Sequence, residues 1–281
     1  GEMRQYDKAL EAYQKAVDLD ANYAEAQYGL GWSLYHLERY GDAIEPLLDA
    51  INLKPDLGAA HFTLGQTYAT YESFQDAIDE FKETLRLIPT YPEAYIELGN
   101  AYLKNRDYDL AIGAYQEAIE LNPGFFEAFT AIGVAYTESN RDKQAIEPLK
   151  NALKINPDDS VAYQNLGIAY KNLGQHEEAI DAFLELIRIR FKDPEAYFLL
   201  ASEYFVEDLY DDAIQRFKDA IRLDPDYIDA HFQLSQVYVA TGAFEKSLKE
   251  FELVVKIEPI HLEGHFRKGD IYQRLDNHKA A

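Results

Sequence analysis

A chain of 281 residues with 50 acidic and 27 basic side chains carries a formal net charge of −23, which disfavours nucleic acid and anionic membrane surfaces as partners. It has no cysteine, so disulfides, thiolate catalysis and thiolate zinc sites are excluded. No apolar run approaches the roughly 20 residues of a membrane-spanning helix.

Residues 1–23, "GEMRQYDKALEAYQKAVDLDANY", match only the second half of a unit that then recurs. "GLGWSLYHLERYGDAI" starts at Gly29, "TLGQTYATYESFQDAI" at Thr63, "ELGNAYLKNRDYDLAI" at Glu97 and "AIGVAYTESNRDKQAI" at Ala131. "NLGIAYKNLGQHEEAI" follows at Asn165, "LLASEYFVEDLYDDAI" at Leu199 and "QLSQVYVATGAFEKSL" at Gln233, each 34 residues after the last. Self-similarity at a fixed period predicts an array in which each unit leans on its neighbours, with no single core. The full units are 24–57, 58–91, 92–125, 126–159, 160–193, 194–227 and 228–261, followed by a partial unit or cap at 262–281. Because both ends fall inside a unit, the array is expected to be part of a longer protein.

Each unit predicts two helices. Position 8 is Gly31, Gly65, Gly99, Gly133, Gly167, Ala201, Ser235 and Gly269, and position 20 is alanine or serine throughout (Ala43 to Ser247). Small residues at fixed places on two successive helices let their backbones approach closely, so the glycines read as contact points. The first helix has an apolar residue at position 7 and tyrosine at position 11 (Tyr68, Tyr102, Tyr136, Tyr170, Tyr204, Tyr238, Tyr272); the second has leucine or an aromatic at position 24. Positions three or four apart share a helix face, so each helix carries an apolar stripe. Proline at position 32 (Pro55, Pro89, Pro123, Pro157, Pro225, Pro259) ends the second helix.

Small at 8, aromatic at 11, alanine at 20, leucine or aromatic at 24 and proline at 32, on a 34-residue period, resembles the tetratricopeptide repeat. The resemblance covers nearly the whole chain. It implies an all-α, right-handed solenoid of paired antiparallel helices, a single array over 1–281, whose first helices line a concave groove. It also implies a non-enzymatic scaffold that binds a partner protein or peptide there.

Two departures carry expectations. In unit 160–193 a bulky Leu186 stands at a usually small position and Phe191 replaces the proline. The second helix is expected to run on there, with a local change of curvature near Arg188 to Pro194. In the last segment Lys268 replaces the apolar residue of position 7, which fits a solvent-facing cap over Leu262 to Leu275.

In the family, positions 2, 5, 6, 9, 12 and 13 face the groove. Position 5 includes Tyr28, Phe62, Phe198, Phe232 and Phe266, and position 2 is acidic in six of eight units, among them Glu195 and Asp229. The groove is thus expected to be apolar with acidic edges, fitting a partner with apolar anchors and basic flanks. Unit 194–227, the most acidic with nine acids against three bases, would present Phe198, Leu199, Phe205 and Val206 with Ser202 between them. Trp32, the single tryptophan, with Tyr28 and Tyr35, forms a second candidate anchor.

Two binding patterns of the family are missing. The clamp for acidic carboxyl termini needs lysine at positions 2 and 5; none stands there, and Asn100, Asn165 and Arg267 match only scattered elements. The asparagine ladder at position 6 of arrays on sugar-transferring enzymes is replaced by Gly29, Thr63, Glu97, Ala131, Asn165, Leu199, Gln233 and Arg267. "HLEGH" spaces His261 and His265 like metal ligands, but His261 falls in a loop, and His265 shares position 4 with His61 and His231, where a packing or hydrogen-bonding role is expected. No cofactor pattern stands out. Alternatives to the scaffold are self-assembly, in which exposed repeat ends stack end to end with the basic last segment of one copy meeting the acidic body of another, and the targeting arm of a larger enzyme.

Overall fold

The computed structural model describes residues 3–280, and the side chains of these save residue 4 and residues 277–280. Among the described residues there are sixteen α-helices and no strand, in two units, Gly1–Ser139 and Asn140–Ala281. The first unit holds α1 (Met3–Leu19), α2 (Ala24–His36), α3 (Tyr40–Leu53), α4 (Gly58–Thr70), α5 (Phe74–Leu87), α6 (Pro92–Lys104), α7 (Tyr108–Leu121) and α8 (Phe126–Glu138). The second holds α9 (Asp142–Ile155), α10 (Ser160–Asn172), α11 (His176–Ile189), α12 (Pro194–Val206), α13 (Tyr210–Leu223), α14 (Ile228–Ala240), α15 (Phe244–Ile257) and α16 (Leu262–Ala280).

The period is kept at every helix end from α2 to α15. First helices occupy repeat positions 1–13 and second helices positions 17–30, and α1 ends at position 30 of the unit it half fills. Each unit is a helical-repeat solenoid, with helices packed on the ones before and after in sequence. Successive first helices also touch, α2 with α4, α4 with α6, α6 with α8, and α12 with α14. Among the described residues second helices make no comparable pairings. First helices therefore form the inner layer of each unit, as the repeat pattern implies.

Four position-8 glycines, Gly31, Gly65, Gly99 and Gly167, are the contact points expected, whereas Gly269 of the last segment has open space around it. A Cβ placed on Gly31, Gly65 or Gly99 would lie 2.5–2.7 Å from the fully buried side chain of Leu47, Phe81 or Tyr115 at position 24, and one on Gly167 would strike Phe183. Gly174, at position 15, is a different case. Its φ is +71° and open space surrounds it, so it makes a turn and no contact. Position 15 of all seven full repeats shares that left-handed backbone, with Glu38, Glu72, Arg106, Asn140 and Asp208 beside Gly174 and Gly242, although glutamate and arginine resist it.

The run-on of the second helix in unit 160–193 does not occur. α11 has the same 14 residues as its equivalents and ends at Ile189. Pro194 disfavours helical backbone at Asp193, which is extended and caps α12 by accepting from the Glu195 amide at 3.0 Å. Arg190 has left the helix, with Nε donating to Ser160 Oγ at 2.8 Å and Nη1 to Gln164 Oε1 at 3.1 Å. Phe191 is turned to solvent and Leu186 is buried. A helix stop thus needs no proline at position 32 when the next unit supplies one at its first residue.

α16 is one continuous helix across the place where every other unit turns. Ile271 is buried, while Leu262, Phe266 and Tyr272 are exposed.

Candidate functional site

On the inner face of the first unit, Tyr28 and Trp32 of α2 meet Phe62 of α4 and Tyr91 of the α5–α6 link around a depression of about 580 Å3. His36, Thr63, Gln66 and Ile88 complete its wall. Trp32 is held edge-on by two rings, Tyr6 at 5.5 Å and His36 at 4.3 Å, and remains partly exposed. Phe62 lies 5.8 Å from Phe81 and 4.9 Å from Tyr91, so one side of its ring is core and the other groove. Tyr35 packs on Tyr40 and His36 beside this group.

Glu97 of α6 lies beside Gln66 of the depression wall, and it accepts from Asn100 Nδ2 at 3.4 Å. Burial pushes its carboxyl above the ordinary value. Its charge in turn helps to raise the hydroxyl pKa of Tyr35 and Tyr91, which burial raises first. A partly desolvated carboxylate on an aromatic floor favours a cation brought to it by a partner. At the edge, Glu25 is already matched by Lys54 at 2.8 Å.

In the second unit, Phe198, Leu199, Ser202, Phe205 and Val206 all lie on α12, and Phe232 on the next first helix, α14. Phe198 is 5.8 Å from Phe217 and 5.2 Å from Tyr227, Phe205 is 6.1 Å from Tyr210, and Ser202 Oγ donates to the Phe198 carbonyl at 2.8 Å. Phe232 repeats the arrangement with Phe251 and His261. The position-5 phenylalanines are thus half spent on their own repeat, and Val206, at 55 % exposure, is the open apolar group of α12. Glu195 and Asp229 are exposed. Burial, then their charges with those of Asp193 and Asp224, push the Tyr227 hydroxyl up to about 12, so the rim here is acidic.

Tyr91 and Glu97 were not among the residues the sequence reading singled out. Tyr91 belongs to a link outside the first helix, although aromatics recur at that position in Tyr23, Phe125 and Tyr227. Glu97 is the one acid at position 6, which was signal enough.

The histidines at position 4 are structural. His61 Nδ1 lies 2.6 Å from Glu80 and Nε2 3.2 Å from the Pro55 carbonyl; His231 repeats this with Glu250 at 2.6 Å and Pro225 at 3.1 Å. A ring facing an acceptor at both nitrogens donates from both, which is the imidazolium form. His265 Nε2 contacts the Pro259 carbonyl at 3.0 Å, and His261 Nδ1 accepts from the Gly264 amide at 2.9 Å, so each half of "HLEGH" has a structural task. A carboxylate the sequence reading passed over, Glu203, is fully buried in α12, with Oε2 2.7 Å from His176 Nδ1.

Family models described as tetratricopeptide repeat match residues 1–58, 92–125, 126–159, 149–181 and 207–264, together most of the chain. The chain belongs to the tetratricopeptide repeat family. Among solved structures, that of MamA is similar with a TM-score of 0.56 at 29% identity, over 58% of this chain and 95% of that one. YrrB, a tetratricopeptide repeat protein with an unusual peptide-binding site, gives 0.56 at 20% over 66% and 95%. The C-terminal part of a repeat-containing protein from Cytophaga hutchinsonii gives 0.73 at 15% over 84% and 97%, and these last two show the shared fold. No curated protein matches the chain. Tetratricopeptide repeats generally mediate protein–protein interactions, and no described helix is long and apolar enough to cross a membrane.

Proposed function

We propose that the chain is a non-enzymatic scaffold whose inner face binds a segment of a partner protein. The depression between Tyr28, Trp32, Phe62 and Tyr91 takes an apolar or aromatic side chain, and Glu97 faces a lysine or arginine a few residues away in the same segment. The observation that carries this is the pairing, on one inner face, of an open aromatic hollow with a partly buried carboxylate. A pre-formed repeat surface keeps the ordering cost of association low, and a few aromatic anchors supply most of the energy. In the second unit, Leu199 and Val206, with Phe198, Phe205 and Phe232 behind them and Glu195 and Asp229 at the rim, offer a surface of the same character. The peptide-binding site of YrrB, a protein of the same fold, supports the class of ligand and not its identity.

Peptides selected on the protein from a display library test the reading. They are expected to share an apolar residue near a basic one, and to weaken when either Trp32→Ala or Glu97→Gln is introduced. Selected peptides that bind both variants as well as the parent would refute the inner-face assignment.

A further inference from the structure

A furrow of about 940 Å3 opens on the other side of the first unit, between α1 and α3 and over the face of α2 turned away from the groove. Its floor is apolar, with Leu10 and Val17 from α1 and Leu30 and Leu34 from α2. The later repeats show why it is open. At position 11 they carry tyrosine, whose ring lies against a second helix: Lys82 of α5 sits 5.6 Å over Tyr102 of α6 and Lys150 of α9 5.7 Å over Tyr170 of α10, each from the preceding repeat, and Lys246 of α15 sits 5.6 Å over Tyr238 within its own. In repeat 24–57 the residue is Leu34, which has neither the ring nor the hydroxyl.

The neighbouring positions depart in the same repeat. Position 4 holds Gln27, whose amide donates to the Ala21 carbonyl at 3.1 Å, and position 23 holds Pro46. The His–Glu pair that closes the equivalent place at His61–Glu80 and His231–Glu250 is therefore absent. The position-11 tyrosine of the later repeats and the position-4 ring they carry (His61, Tyr95, Phe129, Tyr163, Tyr197, His231) are thus both absent here.

The rim is acidic. Glu11, Asp18, Asp42, Glu45 and Asp49 line the furrow against Lys15 and Arg39, and Arg39 is engaged with Asp42 at 2.7 Å. An apolar trough shaped by a missing tyrosine and edged by carboxylates complements an aromatic side chain between cations.

We propose that this furrow is a second binding site, which takes a tyrosine or phenylalanine of a partner protein flanked by lysine or arginine, in the place the chain's own tyrosine fills in later repeats. It is independent of the inner face. None of Trp32, Phe62, Tyr91 or Glu97 lines it.

The test uses the capped tripeptide Lys-Tyr-Lys, with Lys-Ala-Lys and Glu-Tyr-Glu as controls, observed by saturation-transfer NMR on the whole protein. Saturation of the tyrosine ring is expected with Lys-Tyr-Lys alone. Leu34→Tyr, which restores the residue of the other repeats, should abolish the signal and leave thermal stability equal or higher. Should that variant fail to fold, Glu45→Lys and Asp49→Lys, both exposed, carry the test, each expected to weaken binding about two- to fivefold. Equal signal from Lys-Ala-Lys, an undiminished signal in folded Leu34→Tyr, or indifference to both charge reversals would overturn the proposal. So would self-association of the free protein that Leu34→Tyr abolishes, since the furrow would then belong to a second copy. Loss of inner-face ligands with the furrow signal intact would refute the proposed function and leave this site standing.

Discussion

Replacing Gly99 by alanine separates close helix approach from ordinary helix propensity. The added Cβ would stand 2.5 Å from Tyr115 Cε1, 2.7 Å from Cδ1 and 2.8 Å from Cζ. Carbon atoms in contact prefer about 3.5–4.0 Å, so the ring must give by roughly 1 Å. Tyr115 is fully buried, and its hydroxyl donates to Asn100 Oδ1 at 2.8 Å, so movement strains both packing and that bond. Overpacking of this kind costs about 1–3 kcal/mol, and removing a helix-interior glycine returns up to about 1 kcal/mol. A net loss of about 1–2 kcal/mol is expected, or roughly 2–8 °C in thermal midpoint at about 2–4 °C per kcal/mol. Gly113, inside α7, has open space around its Cβ, so Gly113→Ala should stabilise by up to about 1 kcal/mol. Ala201 and Ser235 hold position 8 in later repeats, so the cost at Gly99 belongs to the tethered ring. Gly99→Ala should accordingly be less damaging in a Tyr115→Phe background. Thermal melts by circular dichroism, with amide exchange in α6 and α7 to localise the effect in a repeat array, read all three. Equal signs for Gly99→Ala and Gly113→Ala would refute the reasoning.

Glu72→Gly and Arg106→Gly relieve left-handed backbone at φ 57° and 65° and should each raise stability by up to about 1 kcal/mol; an unchanged or lowered melting point contradicts that. For His61 the hydrogen bond to Glu80 raises the pKa above 6.5 despite burial; for His231 burial acts to lower it, but the bonds to Glu250 and the Pro225 carbonyl outweigh that. A raised folded-state pKa gives stability that is complete below the unfolded value and lost as pH climbs through the folded one. Urea midpoints should therefore fall as pH rises above about 6.5, and the fall should shrink in His61→Gln with His231→Gln. Phe198→Ser should cost stability because its ring packs on Phe217 and Tyr227, whereas Val206→Ser should stay within about 0.5 kcal/mol, so binding lost by the latter alone reports on the surface.

The period, the helix pairs and the position-8 contacts were legible in the sequence because each is written as residue size at fixed spacing. Position 15 was not, since Glu38, Glu72 and Arg106 have no preference for the backbone they adopt, and the chain closure of the repeat imposes it. The end of α11 was misread because its stop lies in Pro194 of the following repeat and in the grip of Arg190 on α10. Tyr28, Trp32 and Phe62 follow from first-helix positions, and the structure brings them together around one depression. The partial withdrawal of Phe198 and Phe205 depends on aromatic partners at Phe217, Tyr227 and Tyr210, which only folding brings near.

Trp32, the single tryptophan, stands in the wall of the proposed anchor site and reports on it directly. Its emission, followed while a library-selected peptide is titrated at pH 7 and again at falling pH, tests the central claim. The account predicts a saturable change in emission that disappears in Tyr91→Ala and weakens as Glu97 takes up a proton, at a pH above the ordinary glutamate value. Tight binding that leaves Trp32 emission unchanged and ignores Glu97→Gln would contradict it.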